Sequence, residues 1–243
     1  MIAIKTEKLC KKYGDLVAVN DLDLEIREGE IFALLGINGA GKSTTVKMLS
    51  CLVSPTSGDA TVFGTSIRSR PYDVKRVIGL SPQSTAIAPN LTVEENLDLA
   101  CGVYGLGKEE ARIRKKELID EFSLDEVLKR RASKLSGGWQ RRLSIAFALV
   151  GRPNILFLDE PTLGLDVIAR AELWDTVRAL RGNTTVILTT HYMEEAEALC
   201  DRIGIMKDGR LIECGTCDEL KAKAECDRFE DAFIKLVKEG GAK

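Results

Sequence analysis

The chain has 243 residues, enough to bury one full hydrophobic core but crowded for two unrelated domains. Its 35 Lys+Arg against 37 Asp+Glu exclude the global basic field that drives nonspecific nucleic-acid binding. No apolar run approaches the roughly 20 residues of a membrane span, and Lys5, Glu7 and Lys8 break up the N-terminal apolar residues that a secretory signal would need, so the reading is of a cytosolic protein that meets any membrane through a partner.

Alternating apolar residues predict strands over 2–9 and 17–26, and the short apolar run 31–35, which stops at Gly36, predicts a buried strand. Residues 42–51 place Val46 and Leu49 at helical spacing, so a glycine-rich loop joins that strand to a helix N-terminus. From about 92 to 134 the pattern turns helical. Thr92-Val93-Glu94-Glu95 has the form of a capping box, and the charged run 108–121 carries Ile113, Leu118 and Ile119, followed by Phe122. Glu109, Glu110, Arg112, Arg114, Lys115 and Lys116 read as its solvated face. Strands return at 155–158, 185–188 and 203–206, with helices over 168–180 and 193–199 between them, which implies a mostly parallel α/β sheet. Lys207-Asp208-Gly209-Arg210 reads as a hairpin turn, residues 229–237 as a short amphipathic closing helix, and Gly240-Gly241 as a loose tail.

Seven cysteines, an odd number scattered through apolar and polar settings, fit reduced thiols better than a disulfide framework. Cys214 and Cys217 have the spacing of a redox or zinc pair, but a single histidine and no second cysteine pair leave a zinc ligand set incomplete.

The chemistry begins in Gly36-Ile37-Asn38-Gly39-Ala40-Gly41-Lys42-Ser43. Its glycines let the backbone bend so that amides face inward, and Lys42 adds a cation, which makes a cradle for a nucleoside triphosphate. Ser43 would place a hydroxyl on Mg²⁺, and Thr44 another donor near the phosphates. The run 155–158 ends in Asp159-Glu160, two carboxylates leaving a buried strand. Asp159 is assigned to Mg²⁺, and Glu160 to orienting or deprotonating the attacking water. His191, the only histidine, follows another strand expected to end on the same sheet edge, where open α/β sheets bind ligands; it is expected to contact the γ-phosphate.

These pieces, with Leu135-Ser136-Gly137-Gly138-Trp139-Gln140, resemble in order the ATP-binding-cassette (ABC) ATPases over roughly residues 1–220. Residues 36–43 resemble the Walker A loop, Gln83 the Q-loop, residues 135–140 the signature, Asp159-Glu160 the end of Walker B, Gly164-Leu165-Asp166 the D-loop and His191 the switch histidine. Tyr13 resembles the aromatic that stacks on adenine. The resemblance implies a P-loop core with an N-terminal antiparallel β-subdomain, a helical insert over about 84–150, and a short C-terminal helix and tail over 221–243. It further implies ATP as substrate, with Mg²⁺ held by Ser43, Gln83 and Asp159. Catalysis would fall to Lys42, Glu160 and His191.

In this family two cassettes pack head to tail, so Ser136, Gly137 and Gly138 would serve an ATP held by a second copy, and Asp166 of the D-loop would join the nucleotide-binding residues. A separately encoded transmembrane permease would hold the pair at the cytoplasmic face of the membrane and dock near residues 86–106, with Gln83 as the coupling point. Leu91-Thr92-Val93-Glu94-Glu95-Asn96-Leu97, Val103-Tyr104-Gly105-Leu106 and Phe229-Glu230-Asp231-Ala232-Phe233 are similar to ABC-2-type export cassettes. The alternative is a soluble ABC ATPase acting on nucleic acid or ribosomes; one motif set, no sustained heptads and no basic excess argue against it. The sequence departs from the family pattern at Trp139, where glutamine is usual, and at Cys217, where many relatives carry proline.

Overall fold

The computed structural model describes residues 1–240. Strands β1 (Ile2–Tyr13) and β2 (Leu16–Arg27) form an antiparallel pair, which β4 (Ser57–Val62) and β5 (Thr65–Ser66) extend into a four-stranded sheet of order β2-β1-β4-β5. Alternation along β2 buries Leu22, Leu24 and Ile26 and turns the residues between them to solvent, as expected of a sheet with one wet face. The strands run longer than the alternation predicted, because hairpin pairing carries both past the last alternating residue to the turn between Tyr13 and Leu16.

The second sheet is built from β3 (Ile31–Leu35), β6 (Ile78–Ser81), β7 (Ile155–Asp159), β8 (Thr185–Thr190), β9 (Arg202–Lys207) and β10 (Arg210–Gly215), in the order β10-β9-β3-β8-β7-β6. All its pairings are parallel except the β9–β10 hairpin. Every residue of β3, β7 and β8 is buried, which is why Ile31–Leu35 and residues 155–158 read as continuous apolar runs and β8 carries Val186, Ile187 and Leu188 in a row. Alternate residues nonetheless go to different sides. Ile31, Ala33 and Leu35 join one core, with Leu156, Leu158, Val186 and Leu188, whereas Phe32 and Leu34 join the other, with Ile155, Phe157 and Ile187.

The first core is covered by α3 (Val93–Val103), α4 (Lys108–Glu121), α5 (Gly137–Leu149), α6 (Val167–Ala179), α7 (Met193–Leu199), α8 (Cys217–Ala224) and α9 (Phe229–Glu239). The second is covered by the antiparallel sheet, with α1 (Lys42–Leu49) and α2 (Pro71–Val77). Burying each Leu or Ile side chain in such layers contributes roughly 1.5–3 kcal/mol. No helix among the described residues is long and apolar enough to cross a membrane.

Thr92 forms its capping box: its hydroxyl accepts from the Glu95 amide at 3.2 Å, and the Glu95 carboxylate accepts from the Thr92 amide at 2.7 Å. The hairpin turn forms as read, with Asp208 and Gly209 at φ 48° and 77°. The charged run does fold as a helix, but Arg114 does not belong to its solvated face. Its guanidinium is buried and donates to the carbonyls of Leu149 and Val150 at the end of α5, with Glu117 as its ion partner. A helix end leaves carbonyls without partners, and arginine is long enough to reach them from the next helix. Ile113 is exposed, so the apolar stripe of α4 rests on Leu118 and the Phe122 beyond it, with Ala111 and Ile119 partly buried against the same core. Cys214 packs into the second core and Cys217 against the first, so the pair straddles the sheet. Gly240, expected to begin a loose tail, instead closes α9, its amide donating to the Leu236 carbonyl at 2.8 Å; Gly241 lies outside the described residues.

Candidate functional site

Parallel strands point their carboxyl ends the same way, so the loops after β3, β6, β7 and β8 meet on one edge. The loop after β3 turns through Gly36, whose missing Cβ would stand 2.4 Å from the Met206 carbonyl oxygen. Gly41 has φ 100° and would place a Cβ 2.4 Å from the Ala18 carbonyl oxygen. Left-handed backbone and close approach both demand glycine there. The β9–β10 turn braces the loop from outside, the Gly209 amide donating to the Ala40 carbonyl at 3.1 Å.

Residues 38–44 line a cavity of about 450 Å³ together with Tyr13, Gln83 and Glu160, the groups expected there, and with Leu16, Val17, Ala18 and Asp208, which the sequence did not single out. The signal for the last four was indirect: residues 16–18 follow Tyr13 around a hairpin, and Asp208 sits at a recognised turn. The Tyr13 ring is half exposed, with the Lys11 ammonium 5.0 Å from its centre.

Lys42 is buried, and its ammonium donates to the Gly36 and Ile37 carbonyls at 2.7 and 3.2 Å. It lies 3.7 Å from a Glu160 carboxylate oxygen. Burial pulls its pKa below the usual lysine value, against the opposing pull of Glu160 and Asp159. Ser43 donates its hydroxyl to Asp159 at 2.9 Å, and the same Asp159 oxygen accepts from Thr189 at 2.5 Å. Thr189 Oγ1 in turn accepts from the Glu160 amide at 3.0 Å. Thr189, paired with Asp159 across β7 and β8, is thus a residue that sequence reading missed; only sheet register puts it there. Glu160 itself sits at φ 49°, a region few non-glycine residues occupy and one associated with functional strain.

His191 Nδ1 lies 2.8 Å from Glu160 Oε2, so the histidine is held by the carboxylate. It borders a second cleft of about 390 Å³, shared with Tyr192, Met193, Glu194 and Arg228, rather than the loop-lined cavity.

Ser136, Gly137 and Gly138 do not reach the cavity. Ser136 caps α5 with extended backbone, its side chain free of any capping bond. Asp166 caps α6, accepting from the Ala169 amide at 2.9 Å. These two helix starts lie against each other: a Cβ on Gly138 would stand 3.0 Å from that of Ala169, and one on Gly137 3.5 Å from Leu165. Trp139 is half-buried with the Arg142 guanidinium 4.8 Å from its ring centre, and Arg142 pairs with Glu172 at 2.6 Å. Gln140 turns the other way and donates to the Ala132 and Leu135 carbonyls at 3.2 and 3.1 Å.

The family model described as ABC transporter matches residues 19–163, more than half of the chain. The chain belongs to the ABC transporter family. It is 44% identical over 241 residues to the daunorubicin resistance ATP-binding protein DrrA3 of Streptomyces coeruleorubidus, covering 99% of this chain and 76% of that one. It is 41% identical to the linearmycin resistance ATP-binding protein LnrL of Bacillus subtilis, covering 98% and 75%. Among solved structures, an ATP-binding subunit of an ABC transporter superposes with a TM-score of 0.85 at 29% identity, covering 96% of this chain and 99% of the other. A dimeric ATP-binding cassette in a post-hydrolysis state with ADP and phosphate gives 0.79 at 29%, covering 88% and 98%. This ABC cassette is therefore an ATP-binding, ATP-hydrolysing subunit, and its antiparallel and mostly parallel sheets are those of the family fold.

Proposed function

We propose that the chain powers a drug-exporting transporter as a head-to-tail pair of cassettes beneath a separately encoded permease, at the cytoplasmic face of the membrane. Relatives named for resistance to daunorubicin and linearmycin support export. The pairing is supported by one observation above all. The cavity gathers Lys42, Ser43, Gln83 and Glu160 within a single chain, while Ser136, Gly137 and Gly138 do not line it. Leu163, Val167 and Ile168, on either side of Asp166, are exposed apolar residues on the segment packed against that signature turn. A second copy would cover them and would bring serine and glycine amides at a helix N-terminus to the first copy's γ-phosphate.

In this reading the amides of residues 39–44 and the Lys42 ammonium hold the phosphates, and Tyr13 stacks on adenine. Ser43, Gln83 and Asp159 offer a hydroxyl, an amide oxygen and a carboxylate, hard oxygen donors of the kind that bind Mg²⁺ alongside substrate phosphates. The ion would neutralise charge on the transferred phosphoryl group. Glu160 takes the proton from the attacking water. His191 holds Glu160 Oε2, and the Thr189 hydroxyl holds the Glu160 amide, so the carboxylate is oriented from two sides.

The test is turnover of the purified cassette–permease complex with daunorubicin and with unrelated amphiphiles. Drug-stimulated ATP hydrolysis is expected. A complex whose ATPase responds to no exported compound would remove the export reading and leave the ATPase standing.

A further inference from the structure

Arg141 is the third residue after the signature glycines, and nothing in the hydrolytic scheme above uses it. Its side chain is 5% exposed. One guanidinium nitrogen donates to the Pro82 carbonyl at 2.7 Å; the other donates to the Gln83 carbonyl at 2.7 Å and to the Glu160 carbonyl at 3.4 Å. One side chain of α5 thus grips the backbone of two residues that line the cavity, Gln83 and Glu160.

We propose that Arg141 is a positioning residue of the ATPase, fixing the Gln83 turn and Glu160 to the second turn of the signature helix so that the three move as one unit. The physical argument is one of shape. The guanidinium spreads its donors over two terminal nitrogens of a rigid plane, and so spans carbonyls on two separate segments, Pro82 and Gln83 on one and Glu160 on the other; an ammonium must make all three of its bonds from a single point. Buried carbonyls left without donors would relax toward other partners and carry Gln83 and Glu160 with them. Burial holds the Arg141 pKa below the usual arginine value, against the pull of Asp159 and Glu195, so the cation is retained in a costly place. The residues around it each have separate attachments: Gln140 binds the loop before the helix, and Arg142 binds Trp139 and Glu172. Arg141 alone among them reaches the cavity-lining segments.

The inference rests on Gln83 and Glu160 being site residues, so Glu160→Gln is assayed alongside. Arg141→Met should lower kcat for ATP hydrolysis about 10- to 100-fold, the scale set by misplacing a catalytic group by about an ångström, with ATP KM changed less than about threefold. Arg141→Lys should fall between Met and wild type. In a Gln83→Ala background Arg141→Met should cost markedly less than it does alone, because part of its action runs through Gln83. An unchanged kcat in Arg141→Met, or strict additivity with Gln83→Ala, overturns the proposal. If Arg141→Met does not fold, Arg141→Lys with the same cycle decides in its place. Normal hydrolysis by Glu160→Gln would overturn the underlying reading instead, and an inactive Glu160→Gln beside a normal Arg141→Met would overturn this inference alone.

Discussion

The loop-lined cavity and the signature turn are built to opposite plans. Around the cavity, donors and acceptors already engage one another within the chain: Ser43 with Asp159, Asp159 with Thr189, Glu160 with His191, Lys42 with its own loop. At the signature, Ser136 makes no side-chain capping bond, and its surroundings include the exposed Val167 and Ile168. The first site is organised by sheet register and is ready for a polyphosphate. The second is a helix N-terminus whose Ser136 and Gly137 are exposed, and on the proposed reading it serves a second copy.

The sharpest way to break this contrast is Glu160→Gln, which should keep ATP binding and cut hydrolysis by about 10²- to 10⁴-fold, with ATP-bound dimers accumulating on a sizing column. Near-normal phosphate release would remove Glu160 from its role. Next is Ser136→Arg, which should abolish turnover while one chain's cavity still binds nucleotide. Mixing it with Lys42→Ala chains should restore a measurable fraction of activity, through dimers holding one intact shared site.

Lys42→Ala should weaken ATP binding by about 10- to 100-fold, the equivalent of a charged hydrogen bond; unchanged affinity by calorimetry would count against the cradle. Arg114→Met touches neither site but leaves the carbonyls at the far end of the signature helix without a partner. It should cost about 1–3 kcal/mol, seen as a lower Tm, with turnover per folded molecule retained. The smallest effect is expected from Thr216→Ala, which removes a capping box remote from the cavity and should cost about 1 kcal/mol, with no change in ATP affinity.

Much of the parallel sheet was legible because β3, β7 and β8 are buried on both faces and so carry three to five consecutive apolar residues each. The segment between Cys51 and Leu91 was not. β4 and β5 are short and half-buried, β6 has only four residues and α2 only seven, so neither period had room to show. The helix α8 was also missed, though Thr216 and Glu219 cap it as Thr92 and Glu95 cap α3, because eight residues with two buried side chains carry little periodicity. Arg114 was misread because a charged residue inside a charged run looks solvated until its neighbour's helix end is known.

By itself the sequence determined the phosphate loop, the two carboxylates at the end of β7 and the histidine after β8, since each is a local pattern of backbone freedom or charge at a strand end. Tertiary structure alone decided which of them touch. Thr189 holds Asp159 only because β7 and β8 are in register. The Gly209 turn supports Ala40 only because β9 lies beside β3. Arg141 reaches Gln83 and Glu160 only because α5 packs across the ends of β6 and β7. Those contacts join residues far apart in the chain, and no local pattern carries information about a partner that distant.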